Sequence, residues 1–552
     1  MATESPPVTV SFYGGLGEIG ANMAAVEVDG KILLIDVGLI FPDAEHFGVD
    51  LILPDWSELI KRSDDVHAAV ITHGHEDHMG ALPFFLRDFP DLPVYGTRLT
   101  LGLIEAKLTE HPDVRADLRE VEPGDRIDSG PFDLEFVGVS HSIPDGLATA
   151  VHTPHGTILH SGDFKLDQTP IDGRTTDIPH LAAIGDEGVS LLLADSTNAD
   201  SPGFVPSERS VGATMHQVFA QATGRIICTT FASHVHRVQQ AIDAATDAGR
   251  KVCFVGRSMV RNMPIARELG YLNYDDDQII DMAAVPERPR DEVAIICTGS
   301  QGEPFAALSL MAAGRHKQVQ LEVGDTVVMA SSVIPGNESA IYKSINGLFR
   351  QGAQVVHKGI APVHVSGHAA GDELKFFHNV VRADGFVPVH GEYRHLVRHA
   401  EIARECGTPD DQVFVVSDGE RIVLEDGRLR RGEPFRAGRV FVDGLGVGDV
   451  GNAVLRHREQ LSSEGVCVAV VVVDEQSQIV GEPAVTQTGI IYEPEQSTLL
   501  EKASRQVGEE LERADHAGDP AQLRRLAVQT LARFWRDEVG RRPVIHAEIV
   551  EV

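Results

Sequence analysis

One short segment constrains this chain more than any other: residues 70–80 read Val-Ile-Thr-His-Gly-His-Glu-Asp-His-Met-Gly. Three histidines and an aspartate fall within six positions, directly after the apolar residues 68–71. A β-strand that ends here would deliver these side chains into a loop, and the apolar residues 81–86 predict a following helix. Imidazole and carboxylate groups at such a junction are typical of a metal site, and a polar loop that is merely rich in histidine is the poorer interpretation.

The spacing divides the donors between two cations. Residues two apart in an extended segment project to the same side, so His73 and His75 can share one metal ion. Asp77 and His78 lie at the start of the helix and can hold a second. Because no thiolate is offered, this donor set favours Zn²⁺, with Mn²⁺ as a possible substitute. We therefore predict two Zn²⁺ ions per subunit.

The order H-x-H-x-D-H resembles the signature of the metallo-β-lactamase superfamily. Its members hydrolyse esters, thioesters, lactams and phosphodiesters, so the motif implies a scaffold and metals but leaves the substrate open. In the superfamily's order, Asp36 would orient a metal-binding histidine, His141 would complete the first metal site, and Asp163 would bridge the two cations. Taken alone, each of these residues could be an ordinary residue at the end of a strand.

Composition limits the remaining choices. The 552 residues predict two to four domains. A formal charge of −34 argues against a nucleic-acid partner, unless bound cations, backbone amides, hydroxyls and a few arginines hold the phosphates locally. The five widely spaced cysteines, without a C-x-x-C pair, predict a reducing cytoplasm. The longest apolar run is too short to cross a bilayer, so no membrane association is expected.

A second pattern follows Pro206. Strands and helices alternate from residue 207 to about residue 354, which predicts a mainly parallel sheet covered by helices. The metal pattern resumes only afterwards, at residues 385–392, Gly-Phe-Val-Pro-Val-His-Gly-Glu. The alternating region is therefore predicted to be a domain inserted into the metal-binding core.

Three later motifs make the resemblance more specific. Asp195, residues 362–369 (Pro-Val-His-Val-Ser-Gly-His-Ala) and residues 389–392 (Val-His-Gly-Glu) look like the motifs of the β-CASP nucleases, whose substrate is RNA or DNA. The loops at residues 230–237, 298–304 and 331–338 resemble most the bacterial ribonuclease J branch of that family. The resemblance covers residues 8–443 well and the rest only by position and length.

The implied fold class is α/β: a metallo-β-lactamase αββα sandwich core interrupted by a β-CASP parallel-sheet α/β domain, followed by a small C-terminal α+β domain. The predicted boundaries are the first part of the core at residues 1–206, the insertion at 207–372, the second part of the core at 373–430, a linker at 431–455 and the C-terminal domain at 456–552. Strands are predicted at 413–416 and 421–424 in the core, and at 466–473, 490–492 and 544–550 in the C-terminal domain. Helices are predicted there at 498–514 and 520–539.

The resemblance also assigns the site. One metal would be bound by His73, His75, His141 and Asp163, and the other by Asp77, His78, Asp163 and His390. His368 is the candidate general acid, Asp195 would orient its imidazole, and Asp77 completes the catalytic set. A pocket for a 5′-monophosphate is predicted at Ser233, His364, Ser366, Gly367 and His368. Further candidates for the same cleft are Gly256-Arg257-Ser258 and Ser331-Ser332. The serines could instead be ordinary helix caps, and His368 a buried structural histidine.

The implied activity is a metal-dependent 5′-to-3′ exoribonuclease that prefers 5′-monophosphate ends and also cuts internally, in RNA decay and in rRNA and mRNA maturation. The alternatives are a β-CASP endonuclease, a DNA-repair nuclease and a small-molecule metallohydrolase. Expected partners are single-stranded RNA, a second or further copies of the chain in a homodimer or homotetramer, and RNA-decay proteins such as a helicase or other ribonucleases. The C-terminal domain is predicted to serve oligomerisation or RNA steering, with a purely stabilising role as the alternative.

Overall fold

The computed structural model describes residues 6–43, 45–333, 337–444, 446–476, 478–491, 496–513 and 519–552. The chain forms two compact units. One consists of Met1–Phe41 and Ile52–Val440, and the other of Pro42–Leu51 and Phe441–Val552. The short stretch Pro42–Leu51 thus clusters with the C-terminal residues, which the proposed division of the chain does not anticipate.

The first part of the larger unit carries the metal motif. Its helices are α1 (Ser57–Ile60), α2 (Glu76–Met79), α3 (Leu82–Asp88), α4 (Arg98–Leu108) and α5 (Ile178–Glu187). Its strands are β1 (Val8–Gly14), β2 (Leu16–Gly17), β3 (Met23–Val28), β4 (Lys31–Ile35), β5 (Leu51–Pro54), β6 (Val66–Val70), β7 (Pro93–Gly96), β8 (Asp117–Glu120), β9 (Arg126–Ser129), β10 (Phe132–Val139), β11 (Gly146–Thr153), β12 (Gly156–His160) and β13 (Val189–Asp195).

The inserted region follows with regular alternation of helix and strand. Its helices are α6 (Arg209–Gln221), α7 (Val235–Asp247), α8 (Arg257–Glu268), α9 (Ala307–Ala312) and α10 (Glu338–Arg350). Its strands are β14 (Ile226–Thr229), β15 (Lys251–Val255), β16 (Val293–Cys297), β17 (Thr326–Met329) and β18 (Gln354–His357). They form one sheet in the order β15-β16-β14-β17-β18, and every pairing is parallel. The predicted parallel-sheet insertion is confirmed.

The core then resumes with α11 (Gly371–Val381), β19 (Phe386–Val389), β20 (Gly391–Glu392), α12 (Tyr393–Glu405), β21 (Arg421–Glu425) and β22 (Arg428–Arg431). These returning strands complete both sheets of the core. One sheet has the order β22-β21-β1-β3-β4-β6-β7-β8, and the other β19-β13-β12-β11-β10-β9. The chain before the insertion and the chain after it therefore form one sandwich.

The two sheets pack face to face through one apolar layer. Phe12 and Val70 of the first sheet belong to the same buried cluster as Phe136, Leu191 and Val389 of the second. The opposite face of the second sheet is covered by α5, α11 and α12, whose apolar residues form another buried cluster with it. These layers confirm the fold class, because each sheet must bury its apolar faces against another element.

The smaller unit includes residues 441–443 of β23 (Arg439–Asp443). Its other elements are β24 (Gly446–Val447), α13 (Asn452–Glu464), β25 (Val466–Val473), β26 (Ala484–Thr488), α14 (Gln496–Arg513), α15 (Pro520–Val539) and β27 (Val544–Glu551). The strand order β26-β25-β27 forms a small sheet. Helices α14 and α15 bury Val507, Leu511 and Trp535 against Cys467 and Val471 of that sheet.

Three local expectations differ from the structure. Residues 413–416 do not form a strand, because Val413 meets the core sheet only through a single bridge to Phe386. The strand expected at 490–492 lies earlier, at β26, while Tyr492 falls outside the described residues. Residues 431–455, predicted to be a linker, contain β23 and β24, which pair between Val442 and Val447, and the start of α13.

Within the described residues, no helix combines the length and the apolar character that a membrane span requires.

Candidate metal centre and catalytic site

The candidate ligands come from the carboxyl ends of neighbouring strands. His73 follows β6, His141 follows β10, Asp163 follows β12, and Asp195 is the last residue of β13. β12, β13 and β19 run parallel, so their ends meet at one edge of the sheet, where His390 follows β19. Ligands in α/β proteins gather at such edges because loops there can converge on one point. The fold thus joins residues from both sides of the insertion.

One group of four donors surrounds a common point. Atoms of His73, His75, His141 and Asp163 lie within 4.8 Å of one another. His73 Nε2 is 3.0 Å from His75 Nδ1, and His141 Nε2 is 3.3 Å from the same atom. Asp163 Oδ2 lies 3.7 Å from Nε2 of both His73 and His141. Three imidazoles and a carboxylate oxygen at these distances fit a tetrahedral metal ion.

A second group shares its bridging carboxylate with the first. Asp77, His78, Asp163 and His390 also bring their donor atoms within 4.8 Å of one another. His78 Nε2 lies 3.2 Å from Asp163 Oδ2, and His390 Nε2 lies 3.4 Å from Asp77 Oδ2. Asp163 therefore belongs to both groups. A carboxylate between two cations offsets part of their mutual repulsion.

Two of the donor atoms have no hydrogen-bond partner among the described residues, which also fits metal binding. Asp163 Oδ2 and His390 Nε2 are buried, and within the described residues neither has a hydrogen-bond partner. Leaving buried polar atoms unpaired is costly, so native proteins normally supply a partner. A metal ion bound between the two groups would provide it, and the residues present therefore fit the predicted centre.

Asp36 supports the second group from behind. Its Oδ2 lies 2.7 Å from His78 Nδ1, which leaves Nε2 of that ring facing Asp163. Thr72 donates its backbone N–H to Asp36 Oδ1 at 2.8 Å, and its hydroxyl donates to the same carboxylate. A carboxylate that holds one ring nitrogen fixes the orientation of the other, as metal sites commonly require. Asp36 is therefore positioned to orient the His78 ring.

The histidines of the two donor groups differ in the direction of their pKa shifts. Burial, reinforced by His78, lowers the pKa of His73 well below its ordinary value, and burial lowers the pKa of His75 to about 4. These rings are neutral near pH 7, as metal ligands must be. Burial also disfavours protonation of His390, but Asp163 outweighs it and raises the pKa of His390 to about 10. In the absence of metal, the excess of carboxylates thus draws protons onto that ring.

His368 stands beside this centre with a carboxylate partner of its own. Its Nδ1 lies 2.8 Å from Asp195 Oδ2, and its side chain is 20% exposed. Burial lowers the pKa of His368, but the Asp195 carboxylate outweighs burial, and the net pKa lies above the ordinary value. The arrangement leaves Nε2 as the ring nitrogen that can exchange a proton with a bound substrate.

Two sets of contacts involve the residues predicted for the 5′-phosphate pocket. The backbone oxygen of Gly367 lies 2.7 Å from His141 Nδ1, which ties the Ser366-Gly367-His368 turn to the first metal group. Ser366 Oγ accepts from the backbone N–H of His368 at 3.1 Å, so this serine also shapes the turn locally. The ring centroids of His364 and His234 lie 6.3 Å apart, and Ser233 directly precedes His234 in the chain.

Sequence reasoning missed two asparagines that touch the site. Asn22 Nδ2 donates to the backbone oxygen of Asp77 at 3.1 Å and lies 3.2 Å from His78 Nε2. Asn198 Nδ2 donates to the backbone oxygen of His368 at 3.1 Å. Asn22 follows the glycine-rich turn after β1, and Asn198 follows Asp195 closely, so position after a strand end was the available signal.

Family models match most of the chain. A beta-lactamase superfamily domain matches residues 41–181, and a ribonuclease J beta-CASP domain matches residues 223–348. A Zn-dependent metallo-hydrolase RNA specificity domain matches residues 352–415, and a ribonuclease J C-terminal domain matches residues 453–552. The matches follow the order of core, insertion, returning core and C-terminal region seen in the structure.

Proteins of similar sequence align with nearly the whole length of this chain. Ribonuclease J of Mycolicibacterium smegmatis is 45% identical over 547 residues, which cover 98% of this chain and 97% of that protein. Ribonuclease J2 of Bacillus subtilis is 39% identical over 549 residues, covering 99% of each. A crystal structure of a protein of unknown function from Enterococcus faecalis shares the fold, with a TM-score of 0.52 at 16% identity over 76% of this chain and all of that one. Identity of this extent, together with the domain order, shows that the chain belongs to the ribonuclease J family.

Proposed function

We propose that this chain hydrolyses RNA as a 5′-to-3′ exonuclease that prefers 5′-monophosphate ends and also cuts internally. Membership of the ribonuclease J family gives the coarser statement, a metal-dependent ribonuclease. The finer proposal adds two Zn²⁺ ions per subunit, with Mn²⁺ as a substitute. Its cellular setting would be RNA decay and the maturation of rRNA and mRNA.

One observation carries the proposal: two groups of metal donors share Asp163, and the His368–Asp195 pair lies beside them. Asp163, Asp195, His368 and His390 themselves bring donor atoms within 4.8 Å of one another. Phosphodiester hydrolysis needs an activated water, neutralisation of charge on the phosphate oxygens, and a proton for the leaving oxygen. Two bound zinc ions would supply the first two of these.

His368 is the residue that donates the proton to the leaving oxygen. Asp195 holds Nδ1 of the ring, so Nε2 can deliver a proton to the leaving 3′ oxygen. The same carboxylate stabilises the imidazolium form before the transfer, as a carboxylate does for other catalytic histidines. Asn198, by donating to the backbone oxygen of His368, restrains the turn that carries the ring.

Recognition of the 5′ end is assigned to the turn at Ser366 and Gly367 and to Ser233. Gly367 approaches the first metal group closely, because a Cβ atom there would lie 2.8 Å from the ring of His141. A side chain at this position would push against a metal ligand, so the backbone itself must line the cleft. Ser366 beside it can offer a hydroxyl to a terminal phosphate.

The remaining expectations stay predictions. They are a homodimer or homotetramer, RNA-decay partners, a cytoplasmic location, and a role for the C-terminal domain in oligomerisation or RNA steering. The match of residues 453–552 to a ribonuclease J C-terminal domain supports treating that region as a functional part of the family's architecture.

The test is a digestion of end-labelled RNA and DNA that carry a 5′-hydroxyl, monophosphate or triphosphate. We expect stepwise release of mononucleotides from monophosphorylated RNA, slower attack on triphosphorylated RNA, and little cleavage of DNA. Preferential cleavage of DNA, or equal rates on all three RNA ends, would contradict the proposed specificity. The His216→Ala variant is the control for loss of activity on substitution of a histidine, because His216 is half-buried and lies outside all three donor groups.

A further inference from the structure

A cavity lies at the carboxyl edge of the inserted domain's sheet. Its volume is about 310 Å³, and its lining includes Ser331 and Ser332 after β17, His357 and Lys358 at the end of β18, and Tyr342 of α10. Strands β14 and β17 are neighbours in this sheet. After β14 the chain runs toward one edge of the sheet, to β15, and after β17 it runs toward the opposite edge, to β18, so the direction of the connections reverses between β14 and β17. Ligands of open α/β sheets bind at the strand ends beside such a reversal.

The floor of the cavity holds a hydroxyl that needs a partner. Ser300 is 1% exposed and lines the cavity, and within the described residues its Oγ has no hydrogen-bond partner. At the end of the neighbouring strand β14, the hydroxyl oxygens of Thr229 and Thr230 are also buried and unpartnered in the described part of the chain. Buried hydroxyls without partners are costly, and a polar ligand entering here would satisfy Ser300.

A positive charge stands at the mouth. Lys358 Nζ lies 3.3 Å from Ser332 Oγ, and none of the described carboxylates pairs with it. Lys343 and Arg350 are exposed on α10, and they too form no ion pair with a described carboxylate. Some arginines elsewhere on the larger unit are paired with a carboxylate, for example Arg394 with Asp200. In a chain of formal charge −34, a lysine in the cavity lining without a described carboxylate partner favours an anionic ligand.

The same surface exposes aromatic rings. Tyr342 is 56% exposed at the rim of the cavity, and Phe349 is 53% exposed seven positions later on the same face of α10. The cavity lining also includes the apolar residues Met329, Ile341 and Ile345. Aromatic and apolar surfaces beside cations and hydroxyls suit a base and its phosphate, because every base has a face that can stack.

We propose that this cavity binds one nucleotide of the single-stranded RNA substrate outside the metal centre, and that the strand continues along α10. The base would stack on Tyr342, and a phosphate would contact Lys358 and the serine hydroxyls. The inference rests on the proposed function, since it names a second contact for the same substrate. It gives an acidic chain a local surface that grips a polynucleotide.

Binding is measured first, apart from cleavage. The full chain carrying Asp195→Asn is titrated with a fluorescent RNA strand of about 16 nucleotides, the upper end of common site sizes. Tyr342→Ala should weaken binding by roughly 5- to 100-fold, and Tyr342→Phe should retain it. Lys358→Ala should weaken binding and reduce the slope of log K against log salt by about 0.7, whereas Tyr342→Ala leaves that slope unchanged.

Matched variants control for general effects. Phe376 of α11 and Lys61, which directly follows α1, are exposed residues that do not line the cavity. Phe376→Ala and Lys61→Ala should bind the strand as the Asp195→Asn chain does. Binding by the Tyr342→Ala and Lys358→Ala variants that equals that of these controls would overturn the inference.

Two further measurements distinguish a free nucleotide from RNA as the ligand, and failure of this inference from failure of the proposed function. If free adenosine monophosphate binds as tightly as the strand and depends equally on Tyr342, the cavity holds a free nucleotide and the inference is wrong. In the active chain, Tyr342→Ala should raise KM for the strand without changing kcat. RNA left intact by the parent chain would remove the proposed function, whereas cleavage with an unchanged KM in the variant would remove only this inference.

Discussion

His368 Nδ1 lies 2.8 Å from Asp195 Oδ2, although the two residues are 173 positions apart and the inserted domain lies between them in sequence. Asp195 ends a strand of the core, and His368 lies where the chain returns to the core after the insertion. The pair therefore forms only when both parts of the interrupted sandwich are assembled. Its position beside the two donor groups is what turns a metal centre into a candidate nuclease site.

The first prediction concerns this pair. His368→Ala should lower kcat for RNA cleavage by about 10²- to 10⁴-fold, the usual contribution of a general acid, while metal content stays at the parent value. Asp195→Asn should also lower kcat and should shift the limb of the pH–rate profile that reports His368 to lower pH, because the carboxylate favours the protonated ring. Variants that keep the parent's kcat and pH profile would remove the pair from catalysis.

The second prediction concerns the metal ligands. His78→Ala should abolish cleavage of 5′-monophosphorylated RNA and lower the bound metal, since it removes a donor of the second group. Asp36→Asn should have a milder effect, a loss of metal affinity of about 10- to 100-fold, because Asp36 only orients His78. Metal analysis of each purified variant, beside the His216→Ala control, checks both. Parent-level metal and cleavage in His78→Ala would contradict the assignment.

The third prediction concerns end selection. Ser366→Ala should weaken the preference for monophosphate over triphosphate ends while internal cleavage continues, because the hydroxyl lies on the turn that borders the first metal group. The ratio of kcat/KM on the two labelled ends is the measurement. A ratio equal to the parent's would assign Ser366 to shaping the turn alone.

The fourth prediction concerns acid stability away from the metals. His378 Nε2 lies 3.1 Å from His399 Nε2, and burial lowers the pKa of His378 to about 4. Between that value and an unfolded pKa of about 6.5, the unfolded chain binds more protons than the folded chain, so stability falls as the pH is lowered through this window. The loss should reach about 3 kcal/mol near pH 4 and then level off.

A comparison of variants isolates this effect from metal release. His378→Gln keeps a hydrogen-bonding group beside His399 but cannot titrate in this range. The difference in unfolding free energy between the parent and this variant should be constant above pH 7 and should shift in the variant's favour below pH 6. A difference independent of pH from 4 to 8 would show that the buried pair does not contribute to acid sensitivity.

Much of the site follows from local sequence, because each candidate ligand stands directly after an apolar strand. The run from His73 to His78 supplies two of the four donors in each of the two groups. Helix α15 spans Pro520–Val539, the range that its helical pattern predicts. Here local pattern and tertiary packing point to the same structure, and the prediction needs no knowledge of distant contacts.

Other features depend on contacts that no local pattern encodes. Residues 413–416 are apolar and strand-like, yet Val413 alone bridges to Phe386. Pro42–Leu51 clusters with Phe441–Val552, far later in the sequence. Asn22 reaches His78 because the turn after β1 folds back against the backbone of Asp77, to which the Asn22 N–H also donates. Such relationships are set by packing between distant segments, so periodicity and spacing could not supply them.

The most direct test of the account measures metal content and RNA cleavage on one sample of the full chain. After chelation, zinc is returned in steps, and bound metal per chain is followed together with the rate of mononucleotide release from 5′-monophosphorylated RNA. The account predicts no cleavage without metal and full activity only when two ions are bound per chain. Full activity with a single bound ion, or intact RNA with both ions bound, would contradict it.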